Sequence, residues 1–408
     1  MKILVSSLIY TCVLLSFHLF GPSFYNNHDW PGRAKTAKAH GLGDKIEMID
    51  VENFLEYDHQ THLKWGVYRK RKLTSWPLEK LRSLKIFTFK NTYTIYQYSL
   101  IFFGLLILGS LCLKLELGKK AAIASQGIFA LGYSNLFMFY TPISTYDEPT
   151  VYLLYFASFW FFASKRYFPS ALIYSLSVIG RESSILMAPG FILLLYLTEN
   201  PKIIFKSKKW IRPILLYCLF PLVLYKIYAQ FVDFQDMDDR ISKHLIRNWG
   251  SLSNIVQSLA TIFFVLGLPF LIAINKFREQ KASYGSNYLL SFFLVLLING
   301  FIASTMAIAR EARQFYPPVF FLLPFAGKWF LETLEKFSLE KLIATPQFLI
   351  SILISLGVLY FYNPKGSEVV TVFKAYLILY LPLCSLFFQT RFFSGLIGLS
   401  RRVFNDHL

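Results

Sequence analysis

Residues Tyr167 to Thr198 form a stretch of thirty-two residues whose only charges are Arg181 and Glu182, side by side near its middle. At ~1.5 Å of rise per residue, a continuous helix of that length would measure ~48 Å, far beyond the ~30 Å hydrocarbon core of a bilayer. Ionisable groups at membrane depth cost several kcal/mol and persist where a partner or a water-filled cavity receives them. Each half, about fourteen residues, reaches only ~21 Å. The stretch therefore predicts two short helices that rise from one face and meet below the other, with Arg181-Glu182 capping them in a recess.

The rest of the chain supplies the setting. Of its 408 residues, 55% are hydrophobic and 18% aromatic, with 42 Phe and 25 Tyr. That composition excludes an ordinary soluble protein and implies an all-α, polytopic membrane protein forming a single integral domain over residues 1–408. The net charge of +18 would suggest nucleic acid in a soluble chain. Here the basic residues sit in short loops between apolar runs and no basic domain stands clear of them, so nucleic acid is not an expected partner. Cys12, Cys112, Cys218 and Cys384 all fall inside apolar runs and offer neither a disulfide framework nor zinc spacing.

Runs long enough to span, or nearly so, occur at about 3–20, 93–113, 121–142, 149–164, 211–229, 251–274, 287–305, 315–331, 346–362 and 372–388. The broken pair around Arg181 brings the expected count to about twelve transmembrane helices. The first run carries only Lys2 before it, and Gly21-Pro22-Ser23 is a poor cleavage site, so it reads as a retained signal anchor. The loops alternate. One set is basic: Lys114/Lys119/Lys120, Lys165-Arg166, Lys202 to Arg212, Lys276/Arg278/Lys281, Lys328 to Lys341, and Arg391, Arg401 and Arg402. The other holds Asp147-Glu148, Arg181-Glu182, Asp233 to Asp239, Arg310 to Arg313, and Lys365/Glu368. The positive-inside rule assigns the first set and both termini to the cytoplasm, in a cell (inner) membrane. Residues 21–92 then form a long external loop. A single crossing by Tyr167–Thr198 would move every later loop to the wrong side, whereas two half-helices keep the alternation intact. Arg69-Lys70-Arg71-Lys72 breaks the rule, since it lies in the external loop. Long loops obey the rule weakly, and Trp76 to Phe89 has the apolar spacing of a helix lying on the membrane or packing on a core.

Four polar patches gather on the outer face. In His28-Asp29-Trp30-Pro31, Asp29 is placed to act as general base toward a sugar hydroxyl, or to cap a turn before Pro31. In Tyr146-Asp147-Glu148-Pro149, the simpler expectation is that the acids cap the following helix; the other is that they hold a cation or orient a substrate. In Gly180-Arg181-Glu182-Ser183, Arg181 suits a phosphate clamp positioned by Glu182, with an internal salt bridge as the plain alternative. In Arg310-Glu311-Ala312-Arg313-Gln314, two arginines three apart share a helical face, a spacing suited to a diphosphate or lipid phosphate.

Two weaker features carry less. Asp233 to Asp239 holds four carboxylates without EF-hand spacing and reads as solvated charge. His59-x-x-His62 near Asp58 is half a zinc site with no second ligand pair. No metal site is therefore expected, although a divalent cation stays open as an auxiliary. Nucleotide-binding and common hydrolase motifs do not occur.

The order of these patches resembles the GT-C superfamily of integral membrane glycosyltransferases, in its bacterial multi-span form. An N-terminal span precedes a long external loop with an early acid. A short acid-bearing loop follows, then a hairpin tip reading small-Arg-Glu-small before Ala188-Pro189, and a late Glu-x-Arg before Pro317 and Pro324. The resemblance implies sugar transfer from a polyprenyl-phosphate-linked donor to a glycan, lipid or protein acceptor at the outer face. It assigns acceptor activation to Asp29, an acid-bearing role to Asp147 and Glu148, and donor-phosphate binding to Arg181, Arg310 and Arg313, with His28, Glu182 and Glu311 lining the same site. Relatives often carry two adjacent acids in the first loop, whereas here His28 precedes a single Asp29, so the base stays open between Asp29 and Asp147-Glu148. The competing expectation is a transporter or flippase of a lipid-linked or small anionic solute, since broken helices are also a transporter trait.

Overall fold

The computed structural model describes residues 1–20, 51–64, 70–136, 146–199, 211–232, 245–246, 248–279, 284–306 and 314–335. All regular structure among them is helical. We number the helices α1 (Lys2–Phe20), α2 (Val51–Lys64), α3 (Lys72–Ser83), α4 (Phe89–Lys114), α5 (Lys119–Ala130), α6 (Glu148–Ala163), α7 (Tyr167–Gly180), α8 (Ala188–Thr198), α9 (Ile211–Gln230), α10 (Leu252–Glu279), α11 (Tyr284–Met306) and α12 (Leu323–Glu335). Four are long and apolar enough to cross a membrane: Lys2–Leu19, Phe89–Lys114, Ile211–Gln230 and Gly285–Thr305. Their outward faces keep large apolar side chains uncovered, among them Leu8, Phe103, Val223 and Phe301, which lipid rather than water would accommodate.

Several apolar runs are interrupted, for identifiable reasons. The run at 121–142 stops as a regular helix at Ala130, followed by one turn at Tyr133–Leu136. The run at 251–274 kinks at Gly267, whose φ of 53° and ψ of −149° suit a residue without Cβ, two residues before Pro269. The run at 315–331 opens as a 3₁₀ turn at Pro317–Phe321 and becomes α-helical only from Leu323, because Pro317 and Pro318 remove consecutive N–H donors. The runs at 346–362 and 372–388 lie outside the described residues.

The break at Arg181 has the form of a hairpin. α7 ends at Gly180, Arg181 is extended (φ −159°, ψ 116°), a 3₁₀ turn covers Glu182–Met187, and α8 starts at Ala188 with Pro189 in its first turn. The Tyr174 and Phe191 rings lie 5.0 Å apart. Seventeen residues of continuous helix would separate them by ~25 Å. Arg212, at the start of α9, meets both ends: its guanidinium lies 5.4 Å above the Tyr167 ring and 3.5 Å from Glu199. The tip is pinned at Ser184, whose hydroxyl accepts from Tyr155 (2.7 Å) and whose carbonyl accepts from Tyr174 (2.8 Å). A π-helical turn at Leu215–Leu219 sets Tyr217 between the two arms, stacked on Phe191 at 5.0 Å and donating to Ser170 at 2.9 Å.

The core is aromatic. α6 packs between α4 and α7, and α5 packs against α4 and α12. Small residues let the α5–α12 pair close: a Cβ on Gly327 would strike the Ala121 carbonyl and Ser125 of α5. Ser125 also accepts from the Gly327 amide at 3.0 Å, a direct bond between the two helices. The segment between α1 and α4 contributes α2 and α3 to the same body. In α3, Thr74, Ser75 and Leu78 are buried, while Trp76 and, just beyond, Leu84, Ile86 and Phe87 are exposed. That segment thus packs on the core with one face and leaves an apolar fringe on the other.

Candidate functional site

Four chain segments converge where α6 begins. Tyr146 and Asp147 lead into α6, Glu148 opens it, Arg181 and Glu182 form the hairpin tip, Arg71 precedes α3, and Gln314 precedes the Pro317 turn. α6 starts here because Pro149 suits a first turn, with its fixed φ and missing donor. Asp147 does not cap it. Its backbone is already near-helical (φ −89°, ψ −12°) and its side chain makes no capping bond. The capping expectation for this acid is therefore corrected: a cap needs an extended backbone to aim its oxygen at the N2 or N3 amide.

The carboxylates face arginines instead. Arg181 donates from Nη1 to Glu148 Oε1, with both side chains at most 5% exposed. Its Nη2 reaches Gln314 Oε1 at 3.5 Å, and the Gln314 carbonyl accepts from Asn299 at 2.8 Å. Arg71 spans the other two acids, donating from Nη2 and Nε to Glu182 Oε2 (3.1 and 3.3 Å) and from Nη1 to Asp147 Oδ2 (3.4 Å). Glu182 thus pairs with Arg71 rather than with its neighbour Arg181. The cation between Asp147 and Glu182 is a guanidinium, and among the described residues no cluster of three or more metal-ligating side chains occurs.

Each of the three acids has one oxygen engaged and one left over. Asp147 Oδ1, Glu148 Oε2 and Glu182 Oε1 are buried and find no hydrogen-bond partner among the described residues. Buried oxygens of this kind call for donors, so a hydroxyl-bearing ligand fits the recess. The three carboxylates also outnumber the two arginines. Burial raises the Asp147 carboxyl to about 7; Arg71 and Arg181 oppose that shift and Glu148 reinforces it. A carboxyl poised near neutrality is suited to accept and release protons.

Residues of α2 hold the acid loop in place. The Tyr146 ring stacks on His62 at 4.0 Å and lies 6.1 Å from His59. Burial pushes the His59 imidazole down in pKa, with Glu79 opposing; its Nε2 lies 2.7 Å from the Glu79 carboxylate, to which it donates, and its Nδ1 lies 2.7 Å from the Tyr146 hydroxyl. Gln97 donates to the Tyr146 carbonyl at 3.0 Å, and Thr74 donates to Thr150 at 2.8 Å. His62 Nδ1 lies 3.9 Å from Asp147 Oδ2, and its Nε2 lies 4.0 Å from Asp58 Oδ1.

The structure therefore gathers Asp147, Glu148, Arg181 and Glu182 of the expected set. His28, Asp29, Arg310, Glu311 and Arg313 lie outside the described residues, although Gln314, next to Arg313, touches Arg181. Arg71, His59 and His62 had not been assigned to the site. The available signal for Arg71 was that Arg69 to Lys72 breaks the charge alternation expected of the loops.

Beyond the site, α1, α5, α10 and α12 border a half-open apolar pocket of about 770 Å³, lined by Tyr10, Ile128, Tyr133, Phe264, Tyr316 and Phe330 among others. Tyr316 separates pocket from charge, its ring 5.4 Å from that of Tyr152, which approaches Glu148 one turn along α6. No protein-family model matches the chain, and no match was found among curated proteins or among solved structures.

Proposed function

We propose that this chain is a membrane glycosyltransferase of the GT-C type that moves a sugar from a polyprenyl-phosphate-linked donor to an acceptor at the outer face. One observation carries the reading: Asp147 is buried among arginines, has an oxygen without a partner among the described residues, and titrates near neutrality. In the reaction, Asp147 takes the proton of the acceptor hydroxyl as that oxygen attacks the anomeric carbon, and the bond to the donor phosphate breaks. Glu148 and Glu182, each with a free oxygen, orient further sugar hydroxyls. This reading gives the base to Asp147 rather than Asp29. Because Arg181 is committed to Glu148, it gives the leaving phosphate mainly to Arg310 and Arg313. The 770 Å³ apolar pocket supports a lipid-borne donor. The reading places the protein in the cell (inner) membrane with about twelve spans and both termini cytoplasmic, which keeps the site outside, where nucleotide sugars are absent.

The test is transfer of labelled sugar from a polyprenyl-phosphate hexose to membranes of a strain lacking the gene. Asp147→Asn should lower the rate by ~10²–10⁴-fold in a protein that is still folded and inserted. Transfer that persists in Asp147→Asn/Glu148→Gln, and also in Asp29→Asn, would sink the acid–base reading. The broken helix with buried ion pairs also favours a second reading, a transporter or flippase of a lipid-linked or small anionic solute. Solute counterflow in proteoliposomes without any glycosidic bond formed would establish that one instead.

A further inference from the structure

A base buried as deeply as Asp147 has to discharge its proton before it can act again, and α2 places a single imidazole against it. His62 is buried, with Nδ1 3.9 Å from Asp147 Oδ2 and Nε2 4.0 Å from Asp58 Oδ1, and with its ring face stacked on Tyr146 at 4.0 Å and 20°. We infer that Asp147, His62 and Asp58 form a proton relay in which His62 strips the transferred proton from Asp147 and resets it as a carboxylate after each sugar transfer. The inference rests on the glycosyltransferase reading and adds to it a residue that acts through Asp147 without touching substrate.

The atoms balance as follows. The acceptor O–H bond breaks and the proton joins Asp147, forming a neutral carboxylic acid. The acid turns about its Cβ–Cγ bond, a soft torsion, which brings the protonated oxygen to Nδ1. The O–H bond then breaks, an N–H bond forms at Nδ1, and His62 becomes an imidazolium between the carboxylates of Asp147 and Asp58; water entering the recess as products leave then takes the Nδ1 proton, returning the ring to the tautomer that can accept again. Separations near 4 Å exceed hydrogen-bond length, but catalytic contacts are commonly long in a ligand-free site and tighten when it fills. Three features favour the imidazolium: Asp58 on its own helix, the restored Asp147 carboxylate, and the electron-rich face of Tyr146. Arg71 and Lys72, before and at the start of α3, oppose it, and the Tyr93 hydroxyl of α4 stands behind Tyr146. Two carboxylates and two cations thus face the ring, and removing either carboxylate tips the proton away from His62.

The test uses the full-length protein in detergent or nanodiscs, with a polyprenyl-phosphate hexose as donor and depleted membranes as acceptor. In His62→Asn and His62→Gln, the first turnover should stay within about twofold of wild type while steady-state turnover falls about tenfold or more. Added imidazole should restore turnover in the Asn variant. In parallel, the ring of ¹³C-labelled His62, followed by NMR, should titrate at lower pH in Asp58→Asn, a readout independent of transfer. The relay is overturned if wild type transfers sugar, both His62 variants turn over at the wild-type rate and the His62 titration ignores Asp58. It is also overturned if first and later turnovers fall together and imidazole restores neither, since that pattern means His62 only supports the fold. Wild type that transfers no sugar while His62 still titrates with Asp58 sinks the transferase reading and leaves a coupled pair with another task.

Discussion

Removing the Arg181 side chain should destabilise the protein far more than removing it together with the charge of Glu148. Arg181 and Glu148 are 5% and 2% exposed at their side chains and bonded to each other, so neither reaches bulk water. Breaking such a pair leaves one uncompensated buried charge, at ~3–5 kcal/mol, whereas neutralising both ends removes the desolvation penalty along with the attraction. Arg181→Met should therefore cost ~3–5 kcal/mol, a shift of two to three powers of ten or slightly more in the folded-to-unfolded ratio. Arg181→Met/Glu148→Gln should recover most of that loss, so the coupling should be ~2 kcal/mol or more. The assay is reversible unfolding in mixed micelles with increasing sodium dodecyl sulfate, followed by tryptophan fluorescence, on all four corners of the cycle. A loss below ~1 kcal/mol in Arg181→Met with near-zero coupling would refute the reasoning. It would mean that Arg181 is free in the folded protein and available to clamp a phosphate.

Three further outcomes are expected. The folded-state pKa of Asp147, about 7, lies above its ordinary value of 3.8, so the fold binds this proton more tightly than the unfolded chain does. Its contribution to stability is then fully present below pH ~4 and is lost as pH rises through ~7; the same micelle titration should show wild type weakening from pH 5 to 8 and Asp147→Asn nearly flat across that window. Arg71 holds the Asp147 pKa down, so Arg71→Gln should move the rising limb of the pH–rate profile, where the base becomes deprotonated, toward higher pH. An unshifted limb would remove Asp147 from the role of base. Gly327→Val should destabilise by ~1–3 kcal/mol, because its side chain meets the Ala121 carbonyl and Ser125; unchanged thermal stability would contradict the close α5–α12 packing.

The readable features were local ones. Apolar runs of sufficient length, proline and glycine as breakers, and an ionisable pair inside a stretch too long for one crossing all express themselves within a few turns of chain. That is why the four long helices and the interruption at Arg181 are apparent before any coordinates. The expected capping by Asp147 was also a local inference, and it failed for a non-local reason: Arg71, seventy-six residues earlier, takes the carboxylate that would otherwise turn to the helix end. Glu182 shows the same effect, paired across one hundred and eleven residues with Arg71 rather than with the adjacent Arg181. His59 and His62 were discounted as half a metal site, yet their stacking and hydrogen bonds to Tyr146 fix the loop that carries Asp147.

By itself, then, the sequence determined that this is a helical chain with segments apolar enough to cross a membrane and a charged break in one hydrophobic stretch. Those properties follow from the cost of placing charge and unpaired backbone in hydrocarbon, which every segment must meet on its own. Only the tertiary structure decided which arginine answers which carboxylate, which oxygens are left without partners, and why Asp147 titrates near neutrality. Pairings of that kind depend on distances between segments remote in the chain, and a buried charge takes its properties from whatever the fold brings within a few ångströms of it.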